Sequence, residues 1–202
     1  QNVMYKSYAE VSGRLASGLV SWWALDVDYT DYHGDNDGTN SGSTLDTDLY
    51  GGDTPVKPRA IDNAPTVQAD AIGSGSALFD GVDDYIDTGN SFQSTFRADF
   101  SIAFWMKAVD GQPGSQEILF GMRDSGASDA NILVLEADGT FTWTYRCDNG
   151  TEVSATSSVV FADGVTDWTH IALTTDDDND DMYLYVNGVS IALDDDLSGV
   201  TM

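Results

Sequence analysis

From residue 76 onward, six Asp-Gly or Asn-Gly pairs, at 80–81, 110–111, 138–139, 149–150, 163–164 and 187–188, cut the chain into short apolar segments. Glycine enters positive φ at little steric cost, and an Asx-Gly pair between apolar runs is a strong local signal for a reversing strand. Reversals spaced roughly ten to thirty residues apart predict antiparallel β structure and leave little room for helices. The stretch Ser76-Ala-Leu-Phe-Asp-Gly-Val-Asp-Asp-Tyr-Ile-Asp87 predicts a strand, a tight turn at Asp80-Gly81 and a second strand from Tyr85 to Asp87, paired as a hairpin.

Alternation sorts the faces of the later strands. In 101–107, Ile102, Phe104 and Met106 point one way, and Ser101, Ala103, Trp105 and Lys107 the other. Ile171 and Leu173 oppose Trp168, His170 and Ala172, while Leu184 and Val186 oppose Tyr183 and Tyr185. Most of these strands are apolar on both faces, which fits a sheet packed on one side and either covered or used for binding on the other. The chain has 202 residues, within reach of one all-β domain, and its 5 Trp, 9 Tyr and 8 Phe supply enough apolar surface for a core between two sheets.

Outside the strands the sequence reads differently. Residues 1–17 form a lead segment in which Met4, Tyr8, Val11 and Leu15 share one helical stripe, so a short N-terminal helix is expected there. It either packs on its own domain or attaches to a partner. Residues 26–75 are rich in Asp, Asn, Gly, Ser and Thr, hold three prolines and show no sustained period, so they predict a long loop tied down by metal, short strands or packing.

Charge narrows the partners. Lys and Arg number 8 against 34 acidic residues, giving a formal charge of -26, and only Glu10, Glu117, Glu136 and Glu152 among the acids are glutamates. Phosphate backbones need clustered Lys and Arg to displace their counterions, and an anionic membrane surface needs the same sign, so nucleic acid and anionic membranes are excluded as partners. No apolar run approaches the roughly 18 residues of a membrane span, so no membrane insertion is expected. Cys147 is the only cysteine, so no intramolecular disulfide forms and the fold rests on packing, with metal as a further support. A saline setting suits the acidity, because salt or divalent cations relieve the self-repulsion.

The order and spacing of five segments carry a resemblance. They are Gly18-Leu-Val-Ser-Trp-Trp-Ala-Leu-Asp26, Ser76 to Asp87, Asp99-Phe-Ser-Ile-Ala-Phe-Trp-Met-Lys107, Asp167-Trp-Thr-His-Ile-Ala-Leu173 and Tyr183-Leu-Tyr-Val-Asn-Gly188. Together they resemble the laminin-G-like, concanavalin-A-like jelly-roll domain, over residues 18 to about 193. The resemblance implies an all-β, two-sheet antiparallel jelly-roll sandwich spanning 18–202. It also implies a further strand after the Asn187-Gly188 hairpin, which the sequence through Met202 lacks, so the domain's C-terminal strand is expected either to follow Met202 or to be supplied by a neighbour. Such domains serve as lectins, adhesins, structural appendages and, in some relatives, glycanases.

Three kinds of chemistry follow. Asp26, Asp28, Asp31, Asp35, Asn36 and Asp37 offer six oxygen-bearing side chains within twelve residues, with Gly34 and Gly38 letting the backbone wrap, a donor set of the kind calcium takes. Relatives of this fold often carry calcium near such loops, which adds residues 80–87 as an alternative site. The run Asp176 to Asp181 is expected to stay in water. Sugar binding would use ring faces edged by polar groups, and the candidates are Trp143, Tyr145, Arg146, Asp148 and Asn149, with Trp105 in addition. Against each ring stands the reading that it packs in the core, and Trp22, Trp23, Trp105 and Trp168 lie within the strand pattern of packed residues. Hydrolysis resembling that of laminarinases needs two Glu and an Asp on one strand, so that acid and nucleophile sit roughly 5 Å apart. The nearest match, Glu136-Ala-Asp138, has no second Glu and runs into a turn. His170 in Trp168-Thr-His-Ile-Ala-Leu173 corresponds to a structural strand position. The expectation is a non-catalytic module on an extracellular or virion surface, binding a glycan or cell-surface polysaccharide and stabilised by calcium, with other subunits of a virion or surface assembly as further partners. The alternative is a structural appendage of a capsid, tail or filament with no ligand of its own.

Overall fold

The computed structural model describes residues 18–25, 28–46, 76–90, 92, 95–96, 99–123, 130–146, 152–176 and 181–193. The described residues form antiparallel sheets with no helix, and they fall into two compact units that divide after Asn90. The helix expected over residues 3–15 lies outside the described residues, as do residues 194–202 at the expected end of the sandwich.

In the first unit, β1 (Thr39–Ser41) and β2 (Thr44–Asp46) follow each other across Gly42 and Ser43, and both emerge from the segment expected to be loop. β3 (Ser76–Leu78) pairs with β2, and β4 (Tyr85–Asp87) pairs with β1. The registers Thr39↔Asp87, Ser41↔Tyr85, Thr44↔Leu78 and Asp46↔Ser76 make this one antiparallel ribbon, residues 39–46 against 76–87. The hairpin expected within 76–87 is therefore corrected. Asp80-Gly81 belongs to a loop, 79–84, that bulges out of the ribbon opposite the two residues Gly42 and Ser43. Its flanking strands are three residues each and bond to a distant partner instead of to one another. The bulge needs Gly42: its φ is +92°, and a Cβ there would fall 1.8 Å from Asp84 Oδ1.

The second unit holds two four-stranded sheets. One runs β12 (Val189–Ile191), β11 (Asp181–Val186), β10 (Thr169–Asp176), β5 (Ser101–Met106); the other runs β6 (Glu117–Arg123), β7 (Ala130–Leu135), β8 (Phe141–Arg146), β9 (Glu152–Thr156). A single core joins them. Leu133, Leu135, Phe141, Trp143, Tyr145 and Val153 come from the second sheet, Ile171, Leu173, Met182 and Leu184 from the first, and Ile102, Phe104 and Met106 of β5 complete it. Phe96 and Phe100 bring rings from the connecting segment, edge-on to each other with centroids 4.9 Å apart, and Phe100 is edge-on to Trp143 at 6.0 Å. This is the arrangement expected of a sandwich. The alternation read from the sequence holds in β5, β10 and β11, and the set that faces the core is Ile102, Phe104 and Met106, Ile171 and Leu173, and Leu184 and Val186.

Turn chemistry separates the reversals. Asn187 and Gly188 both have positive φ, 51° and 78°, and close the two-residue β11–β12 hairpin, with Asn187 Oδ1 accepting the His170 amide at 2.9 Å. Asp138-Gly139 closes β7–β8. Asp110-Gly111 and Asp163-Gly164 close no hairpin; they tie two connections together, Gly111 N–H donating to Gly164 O at 2.8 Å and Gly164 N–H to Asp110 Oδ1 at 3.1 Å.

Candidate functional site

The acidic segment of the first unit is organised around one carboxylate. Asp31 is 5% exposed. Its Oδ1 accepts the amides of Trp22, His33 and Gly34 at 2.9, 3.0 and 2.9 Å, and its Oδ2 accepts the Asn36 amide at 3.2 Å and Asn36 Nδ2 at 3.4 Å. Burial raises its pKa, but the Trp22, Gly34 and His33 amides and the Ser21 hydroxyl outweigh burial and hold the carboxyl well below the usual carboxylate range. Gly34 is required beside it, since a Cβ would lie 2.6 Å from both Asp31 Oδ2 and Val20 O. Asp37 closes the ring by accepting the Asp31 amide at 2.9 Å.

That arrangement changes the metal assignment. A carboxylate met by N–H groups on both oxygens is already engaged in holding the backbone, so Asp31 serves as a backbone anchor, and it does not converge with other carboxylates among the described residues. Asp28 accepts the Thr30 amide at 3.1 Å and the Tyr32 hydroxyl at 3.3 Å on both oxygens. Asn36 spends Nδ2 on Ser21 at 2.7 Å, Oδ1 on Asn90 at 2.7 Å and its carbonyl on Trp23 Nε1 at 2.8 Å. Asp35 is exposed, and Asp26 lies outside the described residues. Of the six oxygen donors, Asp28, Asp31, Asn36 and Asp37 use their side-chain oxygens to hold the loop.

The bulge 79–84 differs. Oxygens of Asp80, Asp83 and Asp84 all lie within 4.8 Å of one another. Two oxygens on one calcium are at most about twice the 2.3–2.6 Å bond length apart, so three converging carboxylates meet the distance requirement. Asp80 Oδ1 accepts the Val82 amide at 2.8 Å and Asp84 Oδ2 accepts the Asp80 amide at 2.9 Å. Asp80 Oδ2, Asp84 Oδ1 and the Asp83 carboxylate have no hydrogen-bond partner among the described residues.

Aromatic residues divide sharply. Trp143 and Tyr145, expected as sugar platforms, are 1% and 4% exposed and belong to the core. Trp143 Nε1 donates to Asn131 Oδ1 at 2.7 Å, and the Tyr145 hydroxyl donates to Phe96 O. Buried rings with satisfied polar atoms offer no face to a ligand, so both positions are corrected to packing. The Arg146 side chain, Asp148 and Asn149 lie outside what is described. In the second unit, the exposed rings stand on the outer face of the β5–β10–β11 sheet. Trp105 is 40% exposed and pairs across strands with His170, ring centroids 5.2 Å apart; Tyr183 is 37% exposed, with Tyr185 6.5 Å from it. Between them lie Ala103 and Ala172, directly paired. The alternation in the sequence sorted each strand's side chains into two sets; the register joins Trp105, His170, Tyr183 and Tyr185 on one face and makes that face the outer one. In the first unit, Trp22 and Tyr32 form a second exposed pair at 5.7 Å.

Of the acids nearest a hydrolytic pattern, the Asp138 carboxylate is committed to a turn. Asp138 Oδ1 accepts both the Thr140 hydroxyl, at 2.7 Å, and the Thr140 amide, at 3.1 Å, and these bonds lower its pKa. The Glu136 amide donates to Thr140 O at 2.9 Å.

Two antiparallel four-stranded sheets share an aromatic core, with rings left on the outer face of one of them, an all-β arrangement consistent with a sandwich. Residues 80–200, more than half of the chain, match the laminin-G family described as the concanavalin A-like lectin/glucanases superfamily. The chain belongs to that family. It is also similar to the crystal structure of residues 221–444 of an S-layer domain-containing protein from Clostridium thermocellum, at 23% identity and a TM-score of 0.43, covering 87% of this chain and 72% of that one. That likeness is too distant to carry a functional argument. No curated protein matches the sequence.

Proposed function

We propose that this chain is a non-catalytic recognition module of an extracellular or virion surface that binds glycan, with calcium at Asp80, Asp83 and Asp84 bracing its carboxylate-rich bulge. The observation that carries the reading is the set of outward rings, exposed Trp105 and Tyr183 with half-buried His170 and Tyr185, on a sheet whose other face is core. Large rings that remain solvent-facing on a rigid sheet suit the apolar C–H faces of pyranoses, and the sheet fixes them before the ligand arrives. Calcium would offset the repulsion among the three carboxylates and pin the bulge to the ribbon. The turn role of Asp138 and the absence of a Glu-rich catalytic strand in the sequence support a module without hydrolytic chemistry.

A second reading, the structural appendage, is favoured by one feature. β6 is an edge strand among the described residues, and its Ile118 is 66% exposed, a surface suited to a subunit contact. A glycan array with and without EDTA tests the choice. Retention of glycan that weakens on chelation supports the first reading. Failure to retain any glycan, with self-association that Ile118→Lys abolishes, replaces it with the second.

A further inference from the structure

The strand register resolves the outer face of the β5–β10–β11 sheet into rows. Trp105 stands beside His170; Ala103, Ala172 and Tyr185 form the next row; Ser101, Thr174 and Tyr183 the third; Asp176 and Asp181 the last. Strands are about 4.8 Å apart and residues about 3.4 Å apart along each, so Trp105 and Tyr185, two strands and two residues distant, are roughly 12 Å apart at Cα. The two alanines leave a low floor between these rings, longer than a single pyranose. Ser101 and Thr174 continue it with hydroxyls.

The far end of this floor is negative. Asp176 and Asp181 face each other across the β10–β11 pair, and the segment joining them carries Asp177, Asp178 and Asp180 in sequence. The Tyr183 hydroxyl donates to Asp181 Oδ2 at 2.8 Å. That bond, partial burial and the charges of Asp181 and Asp176 raise the phenol's pKa, so the carboxylates act directly on the floor. With its hydroxyl hydrogen engaged by Asp181, the Tyr183 oxygen is left to accept. Lys107, two residues beyond Trp105, adjoins the opposite end. The face therefore offers ring surfaces and hydrogen-bond acceptors to groups that donate, on a chain whose formal charge is -26.

Resting on the glycan-binding reading above, we propose that this floor selects uncharged polysaccharide chains and rejects polyanionic ones, with Trp105 and Tyr185 as the stacking platforms and Asp176 and Asp181 as the excluding groups. Sugar hydroxyls donate to the acceptors while their C–H faces cover the rings. A uronate or sulfate would be brought against carboxylates that water screens only in part.

The test is affinity electrophoresis of the full chain, in calcium-containing buffer, through gels holding a neutral β-glucan, a neutral mannan, alginate or carrageenan at low and at high salt. Expected is retardation by a neutral polysaccharide that salt leaves unchanged and that exceeds retardation by alginate at least about tenfold at low salt. Trp105→Ala and Tyr185→Ser, with melting temperatures near that of the parent, should each weaken neutral binding about tenfold. Asp176→Asn with Asp181→Asn should raise low-salt retardation by alginate. Equal or tighter binding of alginate or carrageenan by the parent protein overturns the selectivity while leaving glycan binding intact. Neutral binding untouched by the two ring substitutions, or alginate exclusion untouched by the two Asn substitutions, overturns the assignment to this face. Retardation by none of the four refutes the glycan-binding reading itself.

Discussion

Replacing Asp31 by Asn removes one negative oxygen from a buried site and alters little else in shape. In the parent protein, three backbone amides converge on Oδ1, and the Asn36 amide and Nδ2 converge on Oδ2. In Asp31→Asn the three amides keep a neutral oxygen, and the new NH2 group faces two donors. Hydrogen bonds to a charged group contribute about 1.5–3 kcal/mol and neutral ones about 0.5–1.5, while an orphaned buried donor costs about 1–3 kcal/mol. Weakening three bonds and orphaning one amide, with allowance for non-additivity, gives about 3 kcal/mol for the loop that carries Trp22 to Asp37. Hydrogen exchange followed by mass spectrometry over that segment should show protection falling about a hundredfold, at 1.4 kcal/mol per decade.

The pH dependence follows from the depressed pKa of Asp31. A group titrating lower in the folded than in the unfolded state contributes stability that is complete above the unfolded value near 3.9 and is lost as pH falls from there toward the folded one. The gap between parent and Asp31→Asn should therefore be widest at neutral pH and shrink below about pH 4. Equal protection of the two proteins at pH 7, or a gap that stays constant on acidification, would refute the anchoring role.

Gly42→Ala should open the bulge, because it combines positive φ with a Cβ driven onto Asp84 Oδ1; a loss of about 1–3 kcal/mol in the ribbon, read as faster exchange over 39–46, is expected. If calcium binds at Asp80, Asp83 and Asp84, isothermal titration should give a site that Asp83→Asn weakens and that Asp35→Asn leaves unchanged. Trp143→Phe leaves the fully buried Asn131 side chain without its indole donor and should cost about 2–4 kcal/mol in chemical denaturation, part of it recovered when Asn131→Leu is added; strict additivity of the two would show that the pair is not coupled. Asp110, whose pKa is lowered first by the Gln112 amide and then by the Gly164 amide, contributes stability above its unfolded pKa, so protection of the Gly164 amide should decay as pH falls below about 4.

Strand identity and facing were legible where alternation was long. β5, β10 and β11 each run six to eight residues, and their inward sets match the periodicity. The ring assignments failed at β8 because it alternates aromatic with Thr: the pattern separates Phe141, Trp143 and Tyr145 from Thr142 and Thr144, but not inside from outside. Asn131 was the missing clue, a polar side chain on the neighbouring strand that lets a tryptophan be wholly buried. The hairpin expected within 76–87 failed for a different reason. Three-residue strands are too short for local turn preference to outweigh pairing with 39–46, a mostly polar partner, Thr-Asn-Ser-Gly-Ser-Thr-Leu-Asp, with little strand signal of its own.

The metal residues show the same limit. Sequence counts oxygens, but it cannot tell which are already taken by N–H groups, and Asp31 became an anchor because burial gathered amides around it. By itself, then, the sequence determined an acidic all-β chain with strands of fixed period and carboxylate-rich turns, since those follow from local sterics and composition. Tertiary structure alone decided which aromatic face meets solvent and which carboxylates remain free to bind, because burial and hydrogen-bond partnership arise only when residues far apart in the chain are brought together.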